Sequence, residues 1–245
     1  VKSKIIFNEK FTIYRFMPEG SKAEGVIDFT VVTKQFEVIP DFSVNGLYFD
    51  IGAKELIDPH NALEDIEKRV IRTVLAPEEQ FTNESQMIFR AVKCACQFGF
   101  DIEEKTFEAM MKLSGLTVVI LEIVADNKFE GMTEWFIGNI FRGLKYNPSK
   151  FLQLWNEVGL IKVFINFTTE KLGLESVSEN LPQIFESNRE RKYEESISIF
   201  ISVVSREVHP NNPKEAFSRI IELFRLDQPS VYGDFVIDIS GLTYE

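Results

Sequence analysis

Coordination and cross-linking chemistry is almost missing from this sequence: 245 residues contain two cysteines and two histidines. Cys94 and Cys96 lie two positions apart in a stretch of helical period, where such residues point in different directions, so they build no disulfide framework. With only His60 and His209 beside them, no Cys/His set stands at zinc-ligand spacing. Basic charge is scarce as well. Lys and Arg number 27 against 38 Asp and Glu, a formal net charge of -11, whereas proteins that grip RNA through its phosphates concentrate cations. The densest basic run, Arg189, Arg191 and Lys192, is interleaved with Glu190, Glu194 and Glu195 and reads as a solvated helix face. No apolar run approaches the ~20 residues of a membrane-spanning helix, since Leu116 to Val124 is apolar but short; the chain reads as a soluble protein. It starts at Val1, which fits a processed precursor, including an organellar protein after removal of a transit peptide, as well as a trimmed chain. The compartment stays open.

What is present is the material for a core. At 44% hydrophobic, the chain is long enough to bury one large domain or two modest ones. Short alternating apolar runs fill the N-terminal part: Lys4 to Phe7, Phe11 to Phe16, Gly25 to Val32, Phe36 to Ile39 and Gly46 to Phe49. Turn formers such as Pro18-Glu19-Gly20 and Pro40-Asp41 separate them, so they read as strands of one sheet. From Asn61 the period becomes helical. Ile66, Val70, Ile71 and Val74 share one face, then Met87, Ile88, Ala91, Ala95 and Phe98 another. Helical spacing continues through Phe107 to Leu113, Leu116 to Val124, Phe129 to Leu144, Phe151 to Phe164, Tyr193 to Val204 and Ala216 to Leu226. Asn147-Pro148-Ser149 is a helix start with Ser149 as the expected cap, and Gly159 and the Pro210 to Pro213 cluster are expected interruptions. The predicted class is α+β: a small mixed sheet over 1–60, helices over 61–125, and a further all-helical region over 126–245.

One stretch has a more specific pattern. Asp41-Phe42-Ser43-Val44-Asn45 is followed by the strand Gly46 to Asp50, the turn Ile57-Asp58-Pro59 and the segment Leu63-Glu64-Asp65-Ile66 to Val74. Then comes Phe81-Thr82-Asn83-Glu84-Ser85-Gln86-Met87-Ile88-Phe89-Arg90-Ala91, and after it Gln97-Phe98-Gly99-Phe100-Asp101-Ile102. In order and spacing this resembles class II tRNA nucleotidyltransferases and poly(A) polymerases, over roughly residues 11–165. That family follows its active-site sheet with an Arg-Arg-Asp-Phe-Thr-Ile-Asn hinge, a strand, an Asp-Pro turn, and a Glu-Asp-x-x-Arg helix that reads the incoming base. The resemblance implies a head sheet remnant over 1–60, a neck over 61–125 and a body over 126–245. It implies nucleotide-binding roles for Asp41, Asn45, Glu84 and Arg90, and makes Asp28, in Gly25 to Phe29, a candidate for the acidic residue of a later active-site strand.

The departures matter as much. Two Mg2+ ions in this chemistry are held by an Asp-x-Asp pair, whose alternate residues share one face of a strand, and no Asp-x-Asp occurs in the sequence. Ile39-Pro40 stands where the family has Arg-Arg, and Asn83-Glu84-Ser85-Gln86-Met87 where it has Glu-Asp-x-x-Arg. A methionine offers none of the paired donors of a guanidinium. Gly20-Ser21 with Asp28-Phe29-Thr30 imitates another polymerase signature, but Thr30 replaces its second carboxylate. Blander roles stand beside these: Asp41 and Asn45 as turn and capping residues, Asp58-Pro59 as a plain turn, Arg90 as a salt-bridged helix residue, and Phe136, Ile140 and Leu144 as core. The 23 phenylalanines also suit a subunit that buries aromatic surface against a protein partner.

The sequence therefore reads as a degenerate nucleotidyltransferase-like protein, inactive as this chain, needing no cofactor or metal and serving as a structural or accessory subunit with protein partners. Two alternatives stay open. One is an active CCA-adding or poly(A)-adding enzyme whose Asp-x-Asp segment is missing from this chain and which uses Mg2+ and nucleoside triphosphates. The other is a non-catalytic module that binds RNA or tRNA, which the acidic balance disfavours.

Overall fold

The computed structural model describes residues 2–7, 11–17, 27–32, 39–50, 52–128, 131–174, 193–224, 226, 230–232 and 235–237. For residues up to 32, for 230–237, and for 134, 193–197 and 199, the description is of the backbone alone. The fold is α+β. Strands β1 (Lys2–Phe7), β2 (Phe11–Met17) and β3 (Ile27–Val32) form an antiparallel sheet in sequential order, with Ile5 opposite Tyr14 and Tyr14 opposite Phe29. Strands β4 (Tyr48–Asp50) and β5 (Glu55–Ile57) pair only with each other among the described residues.

Among the described residues the N-terminal strands thus form two sheets where one was expected, and of the expected run Phe36 to Ile39 only Ile39 is described. Pro40 lacks the N–H that a continuing ladder needs, and the chain after it coils into a 3-10 turn over Ser43–Asn45. Asp50 then closes a tight hairpin by accepting hydrogen bonds from the N–H groups of Gly52 (2.8 Å) and Ala53 (2.9 Å), which pairs β4 locally with β5.

Helix α1 (Ala62–Lys68) begins where expected but stops early. Arg69 takes a left-handed backbone, and Val70–Ile71 form a short strand, β6, parallel to β7 (Asp101–Ile102). The sequence pattern had placed Ile66, Val70, Ile71 and Val74 on one helix. The β-branched Val70, Ile71, Thr73 and Val74 lose side-chain freedom in a helix and suit a strand, and β7 supplies the partner from a remote part of the chain.

Helix α2 (Pro77–Asn83) leads into α3 (Met87–Phe98), whose small Ala91, Cys94, Ala95 and Cys96 are buried with Met87, Ile88, Phe89 and Val92. Phe98, expected inside, is 41% exposed, because α3 buries a broad arc centred elsewhere. Both cysteines are free. Burial pushes the Cys94 thiol above its ordinary pKa and that of Cys96 up to about 12, so neither is a ready nucleophile.

Helices α4 (Glu104–Leu113), α5 (Val118–Ala125), α6 (Met132–Tyr146), α7 (Pro148–Val158), α8 (Leu160–Lys171), α9 (Tyr193–Val208) and α10 (Pro213–Leu223) complete the helical part, with a C-terminal hairpin of β8 (Ser230–Tyr232) and β9 (Phe235–Ile237). Asn147, not Ser149, caps α7: its side chain accepts the Lys150 N–H at 3.0 Å, and Pro148 takes the first helical position, where a missing N–H costs nothing. Gly159, left-handed at φ 86°, turns α7 into α8, and Pro213 opens α10. The basic run at 189–192 lies outside the described residues.

The core is one contiguous cluster from Phe42 to Leu226. At its centre the Trp155 indole, 1% exposed, meets the rings of Phe151 (5.1 Å), Phe200 (5.3 Å) and Phe89 (5.7 Å). Phe136, Ile140 and Leu144 lie inside this cluster, as expected. Close approach of α6 and α7 depends on Gly143: a Cβ there would collide with the Phe151 ring. Gly143→Ala overpacks this contact and is expected to lower stability by about 1–3 kcal/mol in denaturant unfolding, despite alanine's better helix propensity. An unchanged midpoint would show that the contact relaxes freely.

Candidate functional site

The densest polar organisation lies where the chain leaves the N-terminal strands and meets the helices. Asp41 lies just before the 3-10 turn, and its carboxylate faces inward. Oδ1 accepts from the Phe42 N–H (3.0 Å) and from the Asn45 amide (2.9 Å). Oδ2 lies 2.6 Å from Nη2 of Arg90 on α3, an ion pair that lacks hydrogen-bond alignment. The Asp41 side chain is 9% exposed and that of Arg90 40%, so the guanidinium presents one side to solvent.

A second carboxylate repeats the device. Asp65 of α1 is buried and accepts from the Ser43 hydroxyl (2.5 Å) and Arg72 Nε (2.9 Å), while Arg72 Nη2 donates to the His60 carbonyl (2.7 Å). The Ser43 N–H bonds the Arg72 carbonyl at 2.9 Å, and Phe42 bridges to Thr73 across the same seam. The turn is therefore pinned to α3 by Asp41–Arg90 and to α1 and β6 by Asp65–Arg72.

Gln80 joins the two sides. Its amide nitrogen lies 2.7 Å from the Asp41 carbonyl and 3.4 Å from Met87 Sδ, and its amide oxygen accepts the Leu75 N–H at 3.2 Å. Gln80 and Met87 are both buried, at 5% and 4% exposure. Met87 is thus a packing residue beneath the junction, not a side chain offered to a ligand.

Of the residues named from sequence, the structure brings Asp41, Asn45 and Arg90 into one cluster. Glu84 ends α2, and its carboxylate accepts only from Gln86 (3.4 Å) among the described contacts. Asp28 lies on β3 opposite Arg15, and its side chain is outside the description. Sequence reasoning missed Ser43, Asp65, Arg72 and Gln80, because their partners become neighbours only once β6 replaces the expected helix. Within this cluster the described carboxylates do not make a magnesium pair. Asp41 and Asp65 are each committed to an arginine, and among the described residues no group of three His, Cys, Asp or Glu side chains is placed to hold a metal ion. Among them too, no helix is long and apolar enough to cross a membrane.

Asp58 has a structural task. Its two oxygens accept the N–H groups of Ala62 (2.7 Å) and Leu63 (3.0 Å), because Asn61, in a left-handed conformation, makes no side-chain cap of its own. Desolvation acts to raise its pKa, but hydrogen bonds from the Leu63, Ala62 and His60 backbone and the His60 charge outweigh this and hold the carboxyl below its ordinary value.

No family model matches the chain. Curated relatives do. A CCA-adding enzyme of Streptococcus thermophilus is 46% identical over 70 residues, 29% of this chain and 17% of the relative. That of Staphylococcus saprophyticus is 27% identical over 162 residues, 62% of this chain and 40% of the relative, and that of Oceanobacillus iheyensis 35% over 95 residues, 37% and 24%. Among solved structures, a CCA-adding enzyme with ATP matches with a TM-score of 0.52 at 19% identity, covering 92% of this chain and 52% of that one. The Thermotoga maritima CCA-adding enzyme complexed with tRNA matches with a TM-score of 0.51 at 18% identity, covering 89% and 51%. The chain spans well under two thirds of these relatives. Over the matched part of its length the chain is similar to CCA-adding enzymes, and its fold is like that of the solved ones.

Asp41→Ala removes an ion pair and two further hydrogen bonds from a buried carboxylate and is expected to cost about 2–3 kcal/mol, and Arg90→Ala, which leaves that carboxylate buried without its counter-charge, at least as much. A double-mutant cycle checks this, and fully additive values would show the pair to be energetically silent. Asp58→Ala should cost about 1 kcal/mol at neutral pH. Because the folded pKa is depressed, the cap's contribution is present above the unfolded carboxylate value and is lost as pH falls through the folded one. Unfolding curves of the two proteins should therefore converge in acid, and a gap independent of pH would refute a charged cap.

Proposed function

We propose that this chain is a class II tRNA nucleotidyltransferase-like protein in which the nucleotide junction persists as structure but no longer selects a base, so that it acts as a structural or accessory component and not as a transferase. The observation that carries this reading is Met87. In the family pattern this position supplies a base-reading arginine; here it is a buried thioether held by Gln80. A thioether is a weak acceptor and cannot make the paired hydrogen bonds that separate one base edge from another. Ile39-Pro40 takes the place of two cations before the hinge, which supports the same conclusion. Asp41 and Asn45, matching the hinge, are used within the turn and on Arg90.

The solved relatives include complexes with ATP and with tRNA. If the junction of this chain still read a base, the native gene product would extend tRNA lacking its 3' end. The test is incorporation of each nucleoside triphosphate into that tRNA and into an oligo(A) primer with Mg2+, alongside thermal shifts with CTP and ATP. The expected result is no incorporation above a metal-free control and no shift that distinguishes CTP from ATP. Metal-dependent addition of CTP and ATP in order would overturn the reading in favour of an active CCA-adding enzyme, and ATP addition to the primer in favour of a poly(A)-adding one. The accessory role further predicts that the native product sediments in an assembly larger than the free monomer.

A further inference from the structure

Among the asparagines of this sequence, Asn45 alone is followed by a glycine. Each residue of the pair has a structural reason. The Asn45 side-chain amide donates to Asp41 Oδ1 at 2.9 Å, and a Cβ on Gly46 would press on the His60 ring, the Ser43 carbonyl and the Pro40 ring. Asn-Gly is also the dipeptide in which the side-chain amide is most easily attacked by the next backbone nitrogen, because glycine has no side chain to hinder the approach.

We propose that Asn45 is a site of spontaneous deamidation, that local opening of the turn at 43–46 gates the reaction, and that the product loosens the junction. In the reaction the Gly46 nitrogen attacks Asn45 Cγ and gives up its proton. The new C–N bond closes a succinimide ring as the Cγ–Nδ2 bond breaks, and Nδ2 leaves with that proton as ammonia. Water then opens the ring to aspartate or isoaspartate. The closed turn holds both reacting groups apart. The Gly46 N–H donates to the Ser43 carbonyl at 2.7 Å and is buried, while the Asn45 amide is tied to Asp41, itself fixed by Arg90. Asn45 is exposed, so loss of these few bonds, without unfolding of the core, brings nitrogen and Cγ together in reach of water. An aspartate at 45 takes a donor from Asp41 Oδ1 and sets a like charge against it. An isoaspartate adds a methylene to the backbone just before Gly46, which is already packed on His60 and Pro40. None of these steps depends on whether the junction reads a nucleotide.

Peptide mapping by mass spectrometry, with isoaspartate measured separately, follows the reaction in the full chain at mildly alkaline pH, both folded and in urea. The folded chain is expected to deamidate at Asn45 at least about tenfold more slowly than the chain unfolded in urea, since only the open fraction reacts. No reaction in urea overturns the site, and equal rates in the two states overturn the gate. Urea below the unfolding transition should leave the folded rate nearly unchanged, because local opening exposes little surface. A rate that climbs in step with the unfolded fraction makes the gate global unfolding and overturns the local one. Arg90→Ala, which leaves the Asp41 carboxylate to seek solvent, should raise the folded rate about tenfold and leave the rate in urea as it was; an unchanged folded rate removes Asp41 from the gate. Asn45→Asp should unfold at lower denaturant than Asn45→Ala, which loses the same donor without adding charge. A midpoint at or above that of Asn45→Ala overturns the claim that the product loosens the junction.

Discussion

Two inward-facing carboxylates, each matched to one arginine, hold the turn at residues 41–45 against the helices, and the rest of the junction depends on them. A carboxylate moved out of water loses several kcal/mol of solvation unless a counter-charge and hydrogen-bond donors replace it. Asp65 finds Arg72 and the Ser43 hydroxyl, and Asp41 finds Arg90, Asn45 and a backbone N–H. Asp41–Arg90 and the Ser43–Asp65 hydrogen bond tie elements that are distant in sequence, and Arg72 anchors Asp65 from the adjoining segment. The same commitment limits the chemistry available, because a carboxylate already paired with an arginine of its own protein is less free to take up a metal ion.

How far the sequence revealed this follows from the distance between partners. Local signals were readable: the Asp58-Pro59 turn, the Gly159 break, the pause at Pro213 and the run of apolar residues in α3 all work within a few positions. Asp41, Asn45 and Arg90 could be named together because the family pattern spaces them, although nothing in their own chemistry says that they touch. The β6–β7 pairing was hidden, since its two strands are two residues each and thirty positions apart, too short for any periodicity to register. Asp65, Arg72 and Gln80 were lost with it. The division of the N-terminal strands into two sheets was hidden for the opposite reason: alternation shows that a strand exists, not which strand it pairs with.

The abundance of phenylalanine has an internal explanation. Eleven phenylalanines lie in the contiguous core, several of them ring to ring around Trp155, and edge-to-face packing of this kind adds about 0.5–1.5 kcal/mol per pair beyond the burial itself. Aromatic content is thus weak support for a protein partner. Among the described residues, apolar side chains at least half exposed include the cross-strand pair Phe49 and Leu56 of the β4–β5 hairpin, Leu63 of α1, Ile39 and Val119.

Met87 shows how burial decides what a helix position can carry. A helix position that ends buried is constrained by volume and polarity before anything else, and a methionine satisfies both without a fixed partner. An arginine returned to that position would need acceptors for its donors. The nearest polar group, Gln80, already spends its amide oxygen on the Leu75 N–H and its amide nitrogen on the Asp41 carbonyl. A guanidinium there would therefore have to swing outward or break the bonds that fix the Asp41 turn. Placing an arginine there requires changes at Gln80 as well as Met87, because the bonds that stabilise the junction already use both ends of the Gln80 amide.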